Sequence, residues 1–177
     1  FDGTEEVATV QDASFDVGKK GTLNFWVKME DTGRRNQFFE GPENGGFEFQ
    51  YRTNGGGQFF GRTQDGSDYT IQSGGHAGVE TFWTNLQYTW DADAGEMHIY
   101  LNGVEEPYLS SFDENLSGFD SINFTDTVNG LMNVGRDPGD SSRFFEGLMD
   151  DIGWYNEVLN QTERDAIRTS GVTADPR

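Results

Sequence analysis

Alternation with a period of two recurs through this chain in short bursts, each closed by glycine, aspartate or asparagine. No other feature restricts the fold as much. Successive side chains of an extended strand point to opposite faces, so "TLNFWVKM" (22–29) sets Leu23, Phe25, Val27 and Met29 on one side. "GFEFQYR" places Phe47, Phe49 and Tyr51 against Glu48, Gln50 and Arg52, and after the turn "TNGGG" the run "QFFGRT" puts Gln58, Phe60 and Arg62 together. "NLQYTW" separates Leu86, Tyr88 and Trp90 from Asn85, Gln87 and Thr89. The turn "DADAG" leads into "EMHIYLNG", with Met97, Ile99 and Leu101 inward and His98 and Tyr100 outward. "SINF", "LMNVG" and "GLMDDIGWY" supply further strands. Many short strands at this spacing predict an all-β fold, a two-sheet antiparallel β-sandwich of jelly-roll type. Its core should hold Phe25, Val27, Leu86, Tyr88, Trp90, Ile99 and Leu101. One helix is expected, over "NQTERDAIR", with Asn160 and Glu163 as a capping pair and Ile167 facing the sheet.

At 177 residues the chain fits one domain large enough to bury a sizeable core. Its formal charge of −19, with three lysines (Lys19, Lys20 and Lys28), excludes a conventional nucleic-acid binder and disfavours anionic membranes. No run approaches the ~20 apolar residues of a membrane helix. The absence of cysteine removes disulfides, thiol catalysis and cysteine-ligated metals. An abrupt start at Phe1, inside an apparent strand, reads as a mature fragment or an excised module.

"FDGTEEVATV", "TLNFWVKM", "TFWTNLQYTWDADAGEMHIYLNGV", "MNVGR" and "FFEGLMDDIGWYNEVLNQTERDAI" stand in an order that resembles the laminin-G-like, concanavalin-A-like jelly rolls. The closing motif of that family is met by Phe145, Gly147, Met149, Asp150, Asp151, Ile152, Trp154, Tyr155, Leu159 and Glu163. The resemblance covers nearly the whole chain: 1–170 reads as the jelly-roll domain and 171–177 as a tail or the start of a linker. One departure is the Thr84-Asn85 pair after Trp83, where the family often carries histidine, so nothing borne by that histidine transfers. The resemblance implies a structural calcium between the first and last strands, held by Asp2, Asp150 and the carbonyl of Gly3. Calcium takes six to eight hard oxygens, which such groups supply. The other reading of Asp150-Asp151 is a β-bulge with both carboxylates hydrogen-bonded or wet.

Signals for catalysis are poor. Jelly-roll glycosidases set two carboxylates on one strand face about 5.5 Å apart, and no Glu-x-Asp-x-(x)-Glu strand occurs. Nor does the Gln-x-His strand of jelly-roll lyases, and His76 and His98 are too few for a three-histidine zinc site. "RDPGDSSR" (136–143) is either a cradle for a cation or sugar hydroxyl, or a solvated loop. What remains is a polar, aromatic-bearing surface: Glu48, Gln50, Arg52, Phe60, Arg62, Asn85, Gln87, His98 and Tyr100, expected on adjacent strands of one sheet. The bland alternative is the solvated face of an antiparallel sheet. Arg52 and Arg62 suit a sulfate or carboxylate on a polysaccharide.

With the resemblance, these features predict a non-catalytic, calcium-stabilised carbohydrate-binding module. It would be a monomer with a polysaccharide as partner, joined to a catalytic or other domain in a larger extracellular protein. An adhesive or protein-binding domain is the first alternative. A lyase or hydrolase with an unrecognised motif is the second.

Overall fold

A computed structural model of the protein describes residues 1, 6–11, 19–30, 35–41, 47–52, 58–64, 68–73, 82–91, 93–107, 131–137 and 142–171. Two antiparallel sheets pack face to face as a jelly-roll β-sandwich. The six-stranded sheet contains β1 (Ala8–Gln11), β3 (Asn36–Glu40), β4 (Phe47–Arg52), β5 (Gln58–Gln64), β6 (Asp68–Gln72) and β10 (Leu131–Val134), in the order β1-β10-β3-β4-β5-β6. The five-stranded sheet contains β2 (Lys20–Met29), β7 (Thr84–Asp91), β8 (Glu96–Leu101), β9 (Val104–Glu105) and β11 (Gly147–Tyr155), ordered β11-β2-β7-β8-β9. One helix, α1 (Gln161–Ser170), follows. The expected strand "SINF" and the tail beyond residue 171 lie outside the described residues.

Every residue of the expected inward stripe is buried. Each strand of that stripe turns alternate side chains inward, so two pleated faces meet in an apolar layer. Phe25 of β2 meets Phe39 and Phe38 of β3 at centroid distances of 4.9 and 5.4 Å and stacks on Tyr88 of β7 at 6.2 Å. Phe49 of β4 approaches Tyr88 at 4.4 Å, and Trp90 packs on Trp154 at 5.3 Å. The strand β3 went unread in the sequence because its alternation is broken. Its register slips between Gln37 and Phe39, and this extra residue lets both phenylalanines reach the core.

The last strand explains its own paired aspartates. Its register with β2 shifts between Asp150 and Gly153, and Asp151 adopts φ 48°. Aspartate tolerates that left-handed region better than most residues. The Asp151 N–H donates to Asp150 Oδ1 at 2.8 Å, and the Asp151 carbonyl accepts from Asn24 Nδ2 at 3.0 Å. Upstream, Gly147 has φ 141°, and a Cβ there would lie 2.1 Å from the Lys28 carbonyl oxygen, so only glycine fits. Its N–H and carbonyl exchange hydrogen bonds with Phe1, at 3.0 and 3.1 Å. The first strand proper, β1, pairs instead with β10 in the other sheet. The helix starts as its sequence predicts. Asn160 Oδ1 accepts from the Glu163 N–H and Glu163 Oε2 from the Asn160 N–H, while Ile167 is buried.

Leu101 sits at the β8 end of the apolar layer. Leu101→Ala should destabilise the fold by about 2–5 kcal/mol, read as a lower denaturant midpoint with an unchanged slope.

Candidate functional site

The six-stranded sheet turns a polar face away from the core, and its register arranges that face in rows. Glu40 of β3 lies opposite Glu48 of β4, which lies opposite position 62 of β5. One rung along, Gln37 pairs with Gln50 and Gln50 with position 60. Alternation that sends Phe49 and Tyr51 inward leaves Glu48, Gln50 and Arg52 on the outer side. They are nevertheless shielded: Glu48 is 2% exposed, and Gln37 and Gln50 are 0% exposed.

Part of the shielding comes from the segment after β10. Backbone pairing of Arg136 with Phe144, and of the Asp137 N–H with the Arg143 carbonyl at 3.1 Å, folds this segment back on itself. Arg143 Nη1 then donates to Asp137 Oδ2 at 2.8 Å and stands 3.6 Å from Glu48 Oε1. Gln50 Nε2 donates to Glu48 Oε1, and Gln37 Nε2 donates to Glu40 Oε2 and to the Phe39 carbonyl. The amide oxygens of Gln37 and Gln50 are buried and have no hydrogen-bond partner among the described residues. A buried polar atom left so costs about 1–3 kcal/mol, and the Asn85 and Gln87 amide oxygens of the five-stranded sheet are in the same state. Gln37, Glu40, Asp137 and Arg143 join a site whose other members the sequence exposed. The flagged run "RDPGDSSR" was the available signal for the last two. Nothing comparable marked Gln37 and Glu40, because β3 itself was hidden.

The expected site does not lie on one sheet. Glu48, Gln50 and Arg52, with positions 60 and 62, belong to the six-stranded sheet, whereas Gln87, His98 and Tyr100 belong to the five-stranded one. Glu48, Gln50 and Arg52 face away from the core on one side of the sandwich and Gln87, His98 and Tyr100 on the other, while the side chains of Phe60 and Arg62 lie outside what the structure describes. The physical reason is that the chain passes from one sheet to the other between β6 and β7, so β4 and β5 share one sheet and β7 and β8 the other, which alternation alone cannot reveal.

The second set is largely covered by α1. Gln87 Nε2 donates to Asn24 Oδ1 and to the Arg164 carbonyl, both at 3.0 Å, and Asn85 Nδ2 reaches Asn24 Oδ1 at 3.0 Å. The Arg164 guanidinium stands 4.0 Å over the Tyr100 ring. Burial raises the Tyr100 hydroxyl pKa above its usual value, and Arg164 partly opposes the shift. His98 Nδ1 lies 2.8 Å from Glu105 Oε1. Gln87 and Tyr100 seat the helix on the sheet. Tyr100, expected to be exposed, is buried.

Of the expected calcium ligands, Asp2 and Gly3 lie outside the described residues. Asp150 is exposed and offers Oδ2 beside the Oδ1 that caps Asp151. With Asp151, Trp26 and Trp83 it lines a cleft of about 230 Å³ on the outer side of the five-stranded sheet.

Comparison with known proteins agrees with this architecture. The model of the concanavalin A-like lectin/glucanases superfamily matches residues 2–163. No curated protein matches the sequence. Among solved structures, the heptameric SAP-like pentraxin of Limulus polyphemus superposes with a TM-score of 0.71 at 14% identity, covering 98% of this chain and 82% of that one. Domain 4 of a GH43 extracellular arabinanase from Geobacillus stearothermophilus, solved with arabinotriose, gives 0.66 at 20% identity, covering 93% and 73%. A putative carbohydrate binding protein from Bacteroides ovatus gives 0.65 at 16% identity, covering 96% and 45%. At such identities these likenesses concern the fold. A family match over nearly the whole chain, met by two antiparallel sheets and the expected closing motif, places the protein in the concanavalin A-like lectin/glucanases superfamily.

Proposed function

We propose that this chain is a non-catalytic carbohydrate-binding module that holds a polysaccharide on the outer face of its six-stranded sheet. The observation that carries the reading is the pair of rows Glu40–Glu48 and Gln37–Gln50. They are flanked by Arg52 and Arg143, and two buried amide oxygens there lack donors. Sugar hydroxyls donate as well as accept, so a glycan can donate to the half-buried Glu40 carboxylate and accept from the half-buried Arg52 and Arg143 guanidinium groups. Two of the folds it resembles are, by their descriptions, an arabinanase domain solved with arabinotriose and a putative carbohydrate binding protein.

The same reading makes the protein a monomeric part of a larger extracellular protein, where a neighbouring catalytic domain gains from tethering to its substrate. It also includes the structural calcium held by Asp2, Gly3 and Asp150. No helix among the described residues is long and apolar enough to cross a membrane. Against a net charge of −19, neutral glycans approach freely, whereas anionic ones need Arg52, Arg62 and Arg143 to offset the field.

Affinity electrophoresis over a polysaccharide panel tests the proposal. Arg52→Ala and Gln50→Ala should each weaken retention by about tenfold, as expected for a lost charge-assisted or buried hydrogen bond. Gln87→Ala should lower the melting temperature by removing the contact to α1 and leave retention unchanged. Retention of the wild type on no polysaccharide would sink the reading in favour of an adhesive domain. Release of reducing ends or unsaturated products from the panel would make the protein a hydrolase or lyase.

Calcium stabilisation has a separate measurement. Melting in millimolar calcium should exceed melting in chelator, by about 2.7 kcal/mol of apparent stability at a hundredfold excess over the dissociation constant. Asp150→Asn should reduce the difference.

A further inference from the structure

We infer that the cleft between Trp26, Trp83, Asp150 and Asp151 is a second binding site, for an ammonium group carried on a sugar ring, the chemistry of a free amino sugar. The pleat that buries Phe25 and Val27 turns Trp26 outward, opposite Asp150 of β11 and Asn85 of β7. Trp83 directly precedes β7 and is 42% exposed. One exposed indole is ordinary. Here two indoles border a cleft of about 230 Å³ together with two carboxylates. That volume lies below the ~300–1,000 Å³ of pockets for drug-sized ligands, so the cleft suits one small group.

The charge of that group follows from charge left uncompensated on the protein. Among the described residues neither Asp150 nor Asp151 forms an ion pair, and Lys28, two residues from Trp26 on the same face, pairs with neither. A Cβ at Gly171 would stand 3.3 Å from Asp151 Oδ1, so this carboxylate lies against the C-terminal end of α1. That end is the negative pole of the helix dipole, which disfavours an anion. Arg168, the basic residue of the last turn, is engaged by Asp165 at 3.1 Å. Burial and the Asp151 charge both push the Tyr155 hydroxyl above its ordinary pKa.

An ammonium group meets this potential, and indoles attract cations through the ring quadrupole. A hard metal ion takes six to eight oxygens, and two of the four residues lining the cleft are tryptophans. A neutral sugar could use the indoles and would leave the carboxylates unanswered. An amino sugar offers C–H groups to the indoles and its ammonium to the aspartates. The site lies on the sheet opposite the proposed polysaccharide face and takes a ligand of defined charge. Asp150 also belongs to the proposed calcium set, whereas Asp151 does not. The decisive variant is therefore Asp151→Asn, since asparagine tolerates the φ of 48° at that position as aspartate does.

The test is a titration of the whole chain with D-glucosamine at neutral pH, followed by the indole N–H resonances. Signals of Trp26 and Trp83 should shift saturably, with a dissociation constant of about 1 mM for so small a ligand, while those of Trp90 and Trp154 stay in place. Glucose and N-acetylglucosamine, which are neutral rings, should bind about tenfold more weakly, as should Nα-acetyl-lysine amide, an ammonium without a ring. Asp151→Asn and Trp83→Ala should each weaken glucosamine by about tenfold. Trp83→Ala, at an exposed position, decides if Asp151→Asn fails to fold. Equal binding of glucose removes the role of charge and overturns the inference. Equal binding of the lysine amide makes the cleft a contact for protein side chains and overturns it too. No shift at Trp26 and Trp83 with glucosamine at about fifty times the expected constant, or undiminished binding in both variants, rejects the site. No polysaccharide is present and Asp150 stays intact, so this site can fail while retention and calcium stabilisation stand, and the reverse.

Discussion

The ring of Phe25 touches Phe38 and Phe39 of the facing sheet and Tyr88 of its own, and the sandwich depends on that junction. Each buried ring removes about 150–250 Å² from water, a gross gain of about 4–6 kcal/mol at about 25 cal/mol per Å². The edge-to-face geometry adds only about 0.5–1.5 kcal/mol per pair. Burial, more than ring orientation, holds the sheets together, and the cluster of phenylalanines at the interface follows from that. With the sheets clamped at this layer, the outer faces are held rigid enough to carry polar groups in fixed rows.

Irregular strand positions convert that clamp into a specific shape. The slip in β3 turns two successive phenylalanines toward the core and brings Gln37 and Glu40 opposite Gln50 and Glu48. The slip in β11 turns Asp151 into the left-handed region and aims its carbonyl at Asn24, which in turn accepts from Asn85 and Gln87. Bulges reorient side chains in this way at the cost of one ladder bond.

The two outer faces have similar polar composition and different fates. On the five-stranded sheet, α1 sets its Arg164 carbonyl on Gln87 and its guanidinium over Tyr100, and these polar groups become an interface within the domain. On the six-stranded sheet, Asp137 and Arg143 close on Glu48 and leave two glutamine oxygens unsatisfied. The Asn85 and Gln87 amide oxygens of the five-stranded face are also buried without a partner among the described residues, so what sets the six-stranded face apart is that α1 lies on the other sheet and that Arg143 stands beside Glu48.

Alternation of side chains, the Asn160–Glu163 capping pair and the closing motif around Gly147 were decided by the sequence alone. They determined an all-β sandwich with one terminal helix, its inward stripe and the outward direction of Glu48, Gln50 and Arg52. These are local properties, governed by strand pleat, cap chemistry and the backbone freedom of one glycine. Tertiary structure alone decided which strands share a sheet, and so it separated Gln87, His98 and Tyr100 from the rest of the expected site. It also recruited Gln37 and Glu40 from a strand whose alternation is broken, and Asp137 and Arg143 from the far end of the chain. Strand pairing across long sequence separations depends on how the two faces bury their aromatic side chains together, and no period within a single strand records that partnership.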